Sequence, residues 1–290
     1  MKHLIPLLSI FAIGSAYASE ILTSIKPIQM ITYEITQGVS EPELLLDSNT
    51  SPHDYALKPS DVKRIRKADL VIWFGHDLEP FLSKVLEGRK NVLMVSEIEG
   101  LALREFDGSH HDHDGHNHGS HDPHFWLGYE QSIQVAEAIS EKLGELDPKN
   151  KETYQANYQA FLNNSNEYDK KWRAALEPIK DVGYYVFHDA YGYFEQHYGL
   201  NHLGEFTVSP ERKPGAKTLI KIKKALAKGD AKCVFAEPQF TPAVVNSVTR
   251  GSQAKQGILD PIGSEIPVGP GSYFTFIQSI TDSFTECLGE

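Results

Sequence analysis

Apolar residues in this chain gather in short runs, most of them unbroken, rather than alternating with polar ones. Residues 21–25, 44–46, 70–74 and 92–95 form one series, and residues 184–187, 233–236 and 257–259 form a second. Such runs predict strands buried on both faces, the mark of a parallel sheet covered by helices. Stretches suited to helices lie between them at 27–37, 60–67, 79–87, 214–228, 242–250 and 273–288, with Ser60 placed to cap the second and Asp61 in its first turn. Alternation of strand and helix at this spacing predicts βαβ units. The expected fold is α/β: two (β/α) lobes with parallel sheets, over residues 19–146 and 181–290.

Residues 147–180 separate the two series. Asp147 suits a helix cap, Pro148 suits the first helical position, and no further Pro or Gly follows until Pro178. Tyr154, Phe161, Tyr168 and Ala175 share one heptad series, with Tyr158 and Trp172 on the other. The pattern predicts one long, rigid, amphipathic helix of about 45 Å that joins the lobes, with a metal site in the cleft between them. A coiled-coil seam would need clean heptads with ordered flanking charges, which are missing, and the expectation is a monomer.

The ends and the composition add a compartment. Lys2, the apolar residues 4–13 and the closing Ala16-Tyr17-Ala18 read as a signal peptide over residues 1–18, too short to span a bilayer. The expected product is exported to the periplasm, without a membrane anchor, since no Cys near the cleavage point can accept a lipid. Cys233 and Cys287 are the two cysteines. In an oxidising compartment an even pair reads as a disulfide, worth roughly 4 kcal/mol in the chain-entropy picture; two free thiolates as metal ligands are the rival. A formal net charge of -11 excludes nucleic acid as a partner class.

Candidate chemistry lies in the histidines. Seven of 13 fall between His110 and His124. Residues 107–122, rich in His, Asp, Gly, Asn and Ser, read as a disordered loop in which His110, His111, His113, His116, His118 and His121 form an auxiliary metal collector. Beyond it, His53 in Ser51-Pro52-His53-Asp54-Tyr55, His124 in Asp122-Pro123-His124-Phe125-Trp126, and His188 in Val186-Phe187-His188-Asp189-Ala190 each follow a strand's C-terminal end, the edge where open α/β sheets bind ligands. Three neutral imidazoles make a zinc shell that an oxygen donor completes. Asp260, in Ile258-Leu259-Asp260-Pro261, is the candidate for that position, with Glu79 or a water as alternatives.

Ser51-Pro52-His53-Asp54-Tyr55-Ala56-Leu57-Lys58-Pro59-Ser60-Asp61, Phe187-His188-Asp189-Ala190-Tyr191-Gly192-Tyr193-Phe194-Glu195 and Cys233-Val234-Phe235-Ala236-Glu237-Pro238-Gln239-Phe240 resemble the periplasmic ZnuA family of zinc-uptake receptors, and the resemblance runs over essentially the whole chain. It implies a receptor that captures Zn2+ as cargo and passes it to the membrane permease of an ABC importer driven by a separate ATPase. It also implies that His53, His124 and His188 are ligands, and Asp260 with them. Similar receptors for manganese tend to offer more carboxylate; His188, where they place Glu, favours zinc. No G-x-x-x-x-G-K-[ST] is present, so transport energy is expected from another subunit. An enzyme is not expected. A secreted zinc hydrolase would need a general base, which nothing at Glu237 suggests, and no H-E-x-x-H helix is present. A periplasmic zinc metallochaperone is the nearer alternative.

Overall fold

Each half of the chain folds onto its own four-stranded parallel sheet. The computed structural model describes residues 20–48, 50–105, 121–207, 213–240 and 243–289. The signal segment expected at 1–18, the histidines at 110, 111, 113, 116 and 118, and the start of the helix expected at 242 lie outside the described residues.

The first sheet has the order β2-β1-β3-β4, built from β1 (Ile21–Thr23), β2 (Glu43–Leu44), β3 (Leu70–Trp73) and β4 (Val92–Met94). The second has the order β6-β5-β7-β8, built from β5 (Tyr184–His188), β6 (His202–Thr207), β7 (Cys233–Ala236) and β8 (Lys255–Ile258). The central strands carry the apolar runs: every residue of β1, β3 and β5 is buried, whereas β2, β4, β6 and β8 at the edges are only partly covered. Helices α1 (Lys26–Thr36), α2 (Pro59–Lys67) and α3 (Pro80–Leu86) connect the first set of strands, and α4 (Tyr129–Leu146) closes that lobe.

Several boundaries differ from the sequence expectation. β1 stops at Thr23, and the last strand spans Lys255–Ile258 rather than 257–259. Lys58, not Ser60, precedes α2, because Pro59, which has no N–H to satisfy and a fixed φ, suits the first helical position. Asp61 accepts the Lys58 backbone N–H at 2.8 Å. Strand β6 and helices α4 and α6 (Gly192–Tyr198) were not expected.

The connection between lobes is one long rod. A 3-10 turn at Pro148–Asn150 leads into α5 (Lys151–Leu176), about 39 Å long at 1.5 Å per residue, and a second at Glu177–Ile179 ends it. Its buried positions are Tyr154, Phe161, Ser165, Trp172 and Leu176; Ala175 is exposed. Those intervals of 7, 4, 7 and 4 follow the 3.6-residue period of a straight helix instead of a strict heptad, which would impose a supercoil. Asn157 donates to the carbonyls of Ile35 and Gln37, both at 2.9 Å, fixing α5 to α1. Farther along, Tyr168 stacks on Phe274 and Trp172 Nε1 donates to Gln278 Oε1 at 2.9 Å, fixing it to α9 (Ser272–Leu288).

The second lobe completes itself with α7 (Ala216–Lys228) and α8 (Ala243–Thr249), while α9 returns to the first lobe. Glu34 on α1 is buried against the first turn of α9, at Gly271, Ser272 and Tyr273, and that burial raises its pKa to about 7 although these neighbours and Gln37 oppose the shift. One cluster of buried apolar residues therefore runs through both halves, including Ile72, Phe125, Trp126, Phe161, Phe235 and Phe276. Cys233 and Cys287 form a disulfide that ties the start of β7 to the end of α9. No helix among the described residues is long and apolar enough to cross a membrane.

Candidate metal centre

The loops beyond the strands' C-terminal ends meet between the sheets, and three imidazoles converge there. His53 lies in the β2–α2 loop, His124 follows β4 across the insertion, and His188 is the last residue of β5. Each offers a nitrogen, and the three nitrogens lie within 4.8 Å of one another. Ring centroids are 5.6 Å apart for His53 and His124, 5.9 Å for His53 and His188, and 5.2 Å for His124 and His188. The Nε2 atoms of His124 and His188 are 3.3 Å apart, a spacing suited to two nitrogens at about 2.0 to 2.1 Å from one ion. No other group of three His, Cys, Asp or Glu among the described residues gathers in this way.

Carboxylates stand behind the two buried rings. Asp122 Oδ1 lies 2.8 Å from His124 Nδ1 and accepts the His124 backbone N–H at 3.0 Å. Glu237 Oε1 lies 2.6 Å from His188 Nδ1 and also accepts from the Tyr191 hydroxyl at 3.3 Å. With Nδ1 protonated toward its carboxylate, each ring presents an unprotonated Nε2 to the cleft, the tautomer a metal requires. Burial, with the charges of His188 and Arg104, holds the His124 pKa well below its usual value, although Asp189 opposes this; the ring stays neutral. Burial raises Asp122 to about 6 despite the Arg104 charge and the His124 N–H bond.

The surrounding walls are partly apolar. Pro52, Trp126, Phe240, Pro261 and Ile262 line the cleft beside the histidines. Trp126 packs edge-on against His124 and donates its Nε1–H to the Pro261 carbonyl at 2.7 Å, crossing from one lobe to the other.

The two carboxylates considered for the fourth position are engaged elsewhere. Asp260 accepts from Gln239 Nε2 at 2.7 Å, Ile262 N at 3.2 Å, and the Ser264 N–H and hydroxyl, both at 2.6 Å; it shapes the turn after β8 and is not one of the converging group. Glu79, fully buried, accepts the Phe74 and Gly75 N–H groups at 2.8 and 3.2 Å ahead of α3. His121, from the auxiliary set, pairs through its backbone with Glu105 at the stem of the insertion. Sequence reasoning passed over Asp122 and Arg104 and weighed Glu237 only as a general base; Glu237 directly follows β7, so the strand-end rule that found His188 would have marked it too.

Two parallel-sheet lobes joined by a rigid helix, with a histidine cluster between them, define a metal-receptor solute-binding protein. The family pattern described as ZnuA, "Zinc-uptake complex component A periplasmic", matches residues 21–287, and the chain belongs to this family. The high-affinity zinc uptake system protein ZnuA of Yersinia pestis is 43% identical over 291 residues, spanning 93% of this chain and 92% of the relative. The protein of that name from Haemophilus ducreyi is 41% identical, over 99% of each. Among solved structures, the AdcAII protein of Streptococcus pneumoniae superposes with a TM-score of 0.79 at 26% identity, covering 93% of this chain and 99% of that one. A zinc-bound ZnuA deletion mutant does so at 0.80 with 23% identity, over 94% and 99%, a likeness of fold alone.

Proposed function

We propose that this chain is a periplasmic receptor that captures Zn2+ with His53, His124 and His188 and delivers it to the permease of an ABC importer whose ATPase is a separate subunit. The observation that carries the reading is the donor set: three imidazole nitrogens within 4.8 Å, drawn from both lobes. Imidazole suits zinc better than the oxygen-seeking calcium, magnesium or manganese. The two closest carboxylates, Asp122 and Glu237, sit behind rings, where they orient ligands and raise their basicity.

A water is the fourth ligand in this reading, because Asp260 and Glu79 are held by their own turns. The same bonding weighs against a hydrolase, since Glu237 is committed to His188 and Tyr191. The histidines of the insertion gather metal at lower affinity, and delivery from that tract to the cleft is part of the proposal.

Metal analysis of protein purified without added metal, beside a His188→Ala variant, tests the site. One tightly held zinc per wild-type chain, lost in the variant, is expected; equal zinc in both overturns it. Growth of a deletion strain under zinc chelation tests the role, and normal zinc accumulation without the protein would point instead to a metallochaperone.

A further inference from the structure

Arg104 occupies the last stretch before the insertion, and its bonds reach past its own lobe. The Nη2 group donates to both carboxylate oxygens of Asp189 at 2.9 Å, and Nε lies 3.1 Å from Asp122 Oδ2 as an ion pair. Its backbone N–H donates to the Tyr193 hydroxyl at 2.8 Å, which donates in turn to the Asp122 carbonyl at 2.8 Å. Its own carbonyl accepts the Asp122 N–H at 2.7 Å. The guanidinium lies so close over Gly192 that a Cβ there would overlap it.

These contacts join two places that matter for the ion. Asp122 is the carboxylate behind His124, and Asp189 follows His188 on the opposite side of the cleft. One cation thereby bridges the carboxylate behind His124 and the residue that follows His188, from different lobes. Asp122 is fully buried, and removing its cation leaves a carboxylate with no counter-charge, so its hold on His124 changes as well. A planar fork suits the job, because it binds Asp189 with one edge and reaches Asp122 with another; the lysine ammonium is a single point charge.

We propose that Arg104 is a positioning residue that ties together the loops on the two sides of the cleft around the bound ion and sets how slowly it leaves. The proposal rests on the zinc-receptor reading. It implies that the permease must break the Arg104 contacts to Asp189 before the ion can leave.

The test measures zinc affinity and dissociation by chelator competition on the mature chain, in wild type, Arg104→Met, Arg104→Lys, Gly192→Ala and Asp189→Asn. Loss of a second-sphere partner commonly weakens metal binding by about 10 to 100-fold. Arg104→Met and Gly192→Ala, which displaces the guanidinium, are expected to speed dissociation by about that factor, with Arg104→Lys and Asp189→Asn intermediate and association nearly constant. Unfolding of the zinc-free proteins is followed in parallel. Lower stability with unchanged dissociation means an ordinary structural ion pair and overturns the proposal, as do wild-type rates in both Arg104→Met and Gly192→Ala. Should Arg104→Met fail to fold, Gly192→Ala and Asp189→Asn decide alone. These results leave the receptor reading intact; a wild-type chain without a tight zinc site removes that reading and the latch together.

Discussion

His188 Nδ1 and Glu237 Oε1 lie 2.6 Å apart, both side chains almost fully buried, His188 at the end of β5 and Glu237 just beyond β7. Neighbouring parallel strands thus supply a proposed ligand and the group that would orient it. Glu237→Ala is expected to lower zinc affinity by about 10 to 100-fold while leaving one site per chain, measured by competition with a chelator of known affinity. Unchanged affinity would remove Glu237 from the metal centre.

Acid should empty the site. A protonated imidazole has no lone pair for metal, and His124, held well below its usual value by burial, loses its lone pair only in the more acid part of the range. Asp122, raised by burial to about 6, becomes protonated in the same range and is then a weaker acceptor for His124. Zinc affinity is expected to fall steeply from about pH 7 to 5. A flat titration over that range would contradict the ligand set.

The stem of the insertion is already joined: Glu105 and His121 pair as an antiparallel bridge, and Asp122 donates its N–H to the Arg104 carbonyl at 2.7 Å. Removing residues 109–120 should therefore leave the tight site whole. Calorimetry is expected to retain one tight zinc and lose only weaker binding; disappearance of the tight site would tie the tract to the cleft.

His202 reports on the second lobe. Burial opposes its charge, but the hydrogen bond and charge of Glu195, with Asp189 and Glu205, outweigh that and raise its pKa to about 9. Because the folded value lies above the unfolded one, its stabilisation is complete below about pH 6.5 and lost as pH rises through about 9. The unfolding free energies of wild type and His202→Gln should differ by about 1 to 3 kcal/mol in neutral solution and converge above that point. A difference independent of pH would deny the charge a role.

The buried strands and the three histidines were legible because each follows from a local pattern: an unbroken apolar run, and a residue just past its end. β6 escaped notice because an edge strand buries little, Phe206 alone in its case. Helix α4 does carry a helical signal in Val135, Ala136, Ile139 and Leu143, overlooked beside the insertion. Asp260 satisfied the strand-end rule, yet Asp-Pro followed by Ser264 is also a turn-forming sequence, and the local hydrogen bonds take the carboxylate. Arg104 has no such signature, since its partners at 122 and 189 become neighbours only through tertiary folding.

Among the described residues, one apolar cluster takes members from both halves, with Ile72 and Phe125 from the first and Phe235 and Phe276 from the second. Heat or denaturant should accordingly melt both halves as a single cooperative unit. Under the receptor reading, a shared core of this kind asks for release of the ion by movement of the loops at the rim of the cleft rather than by separation of the halves.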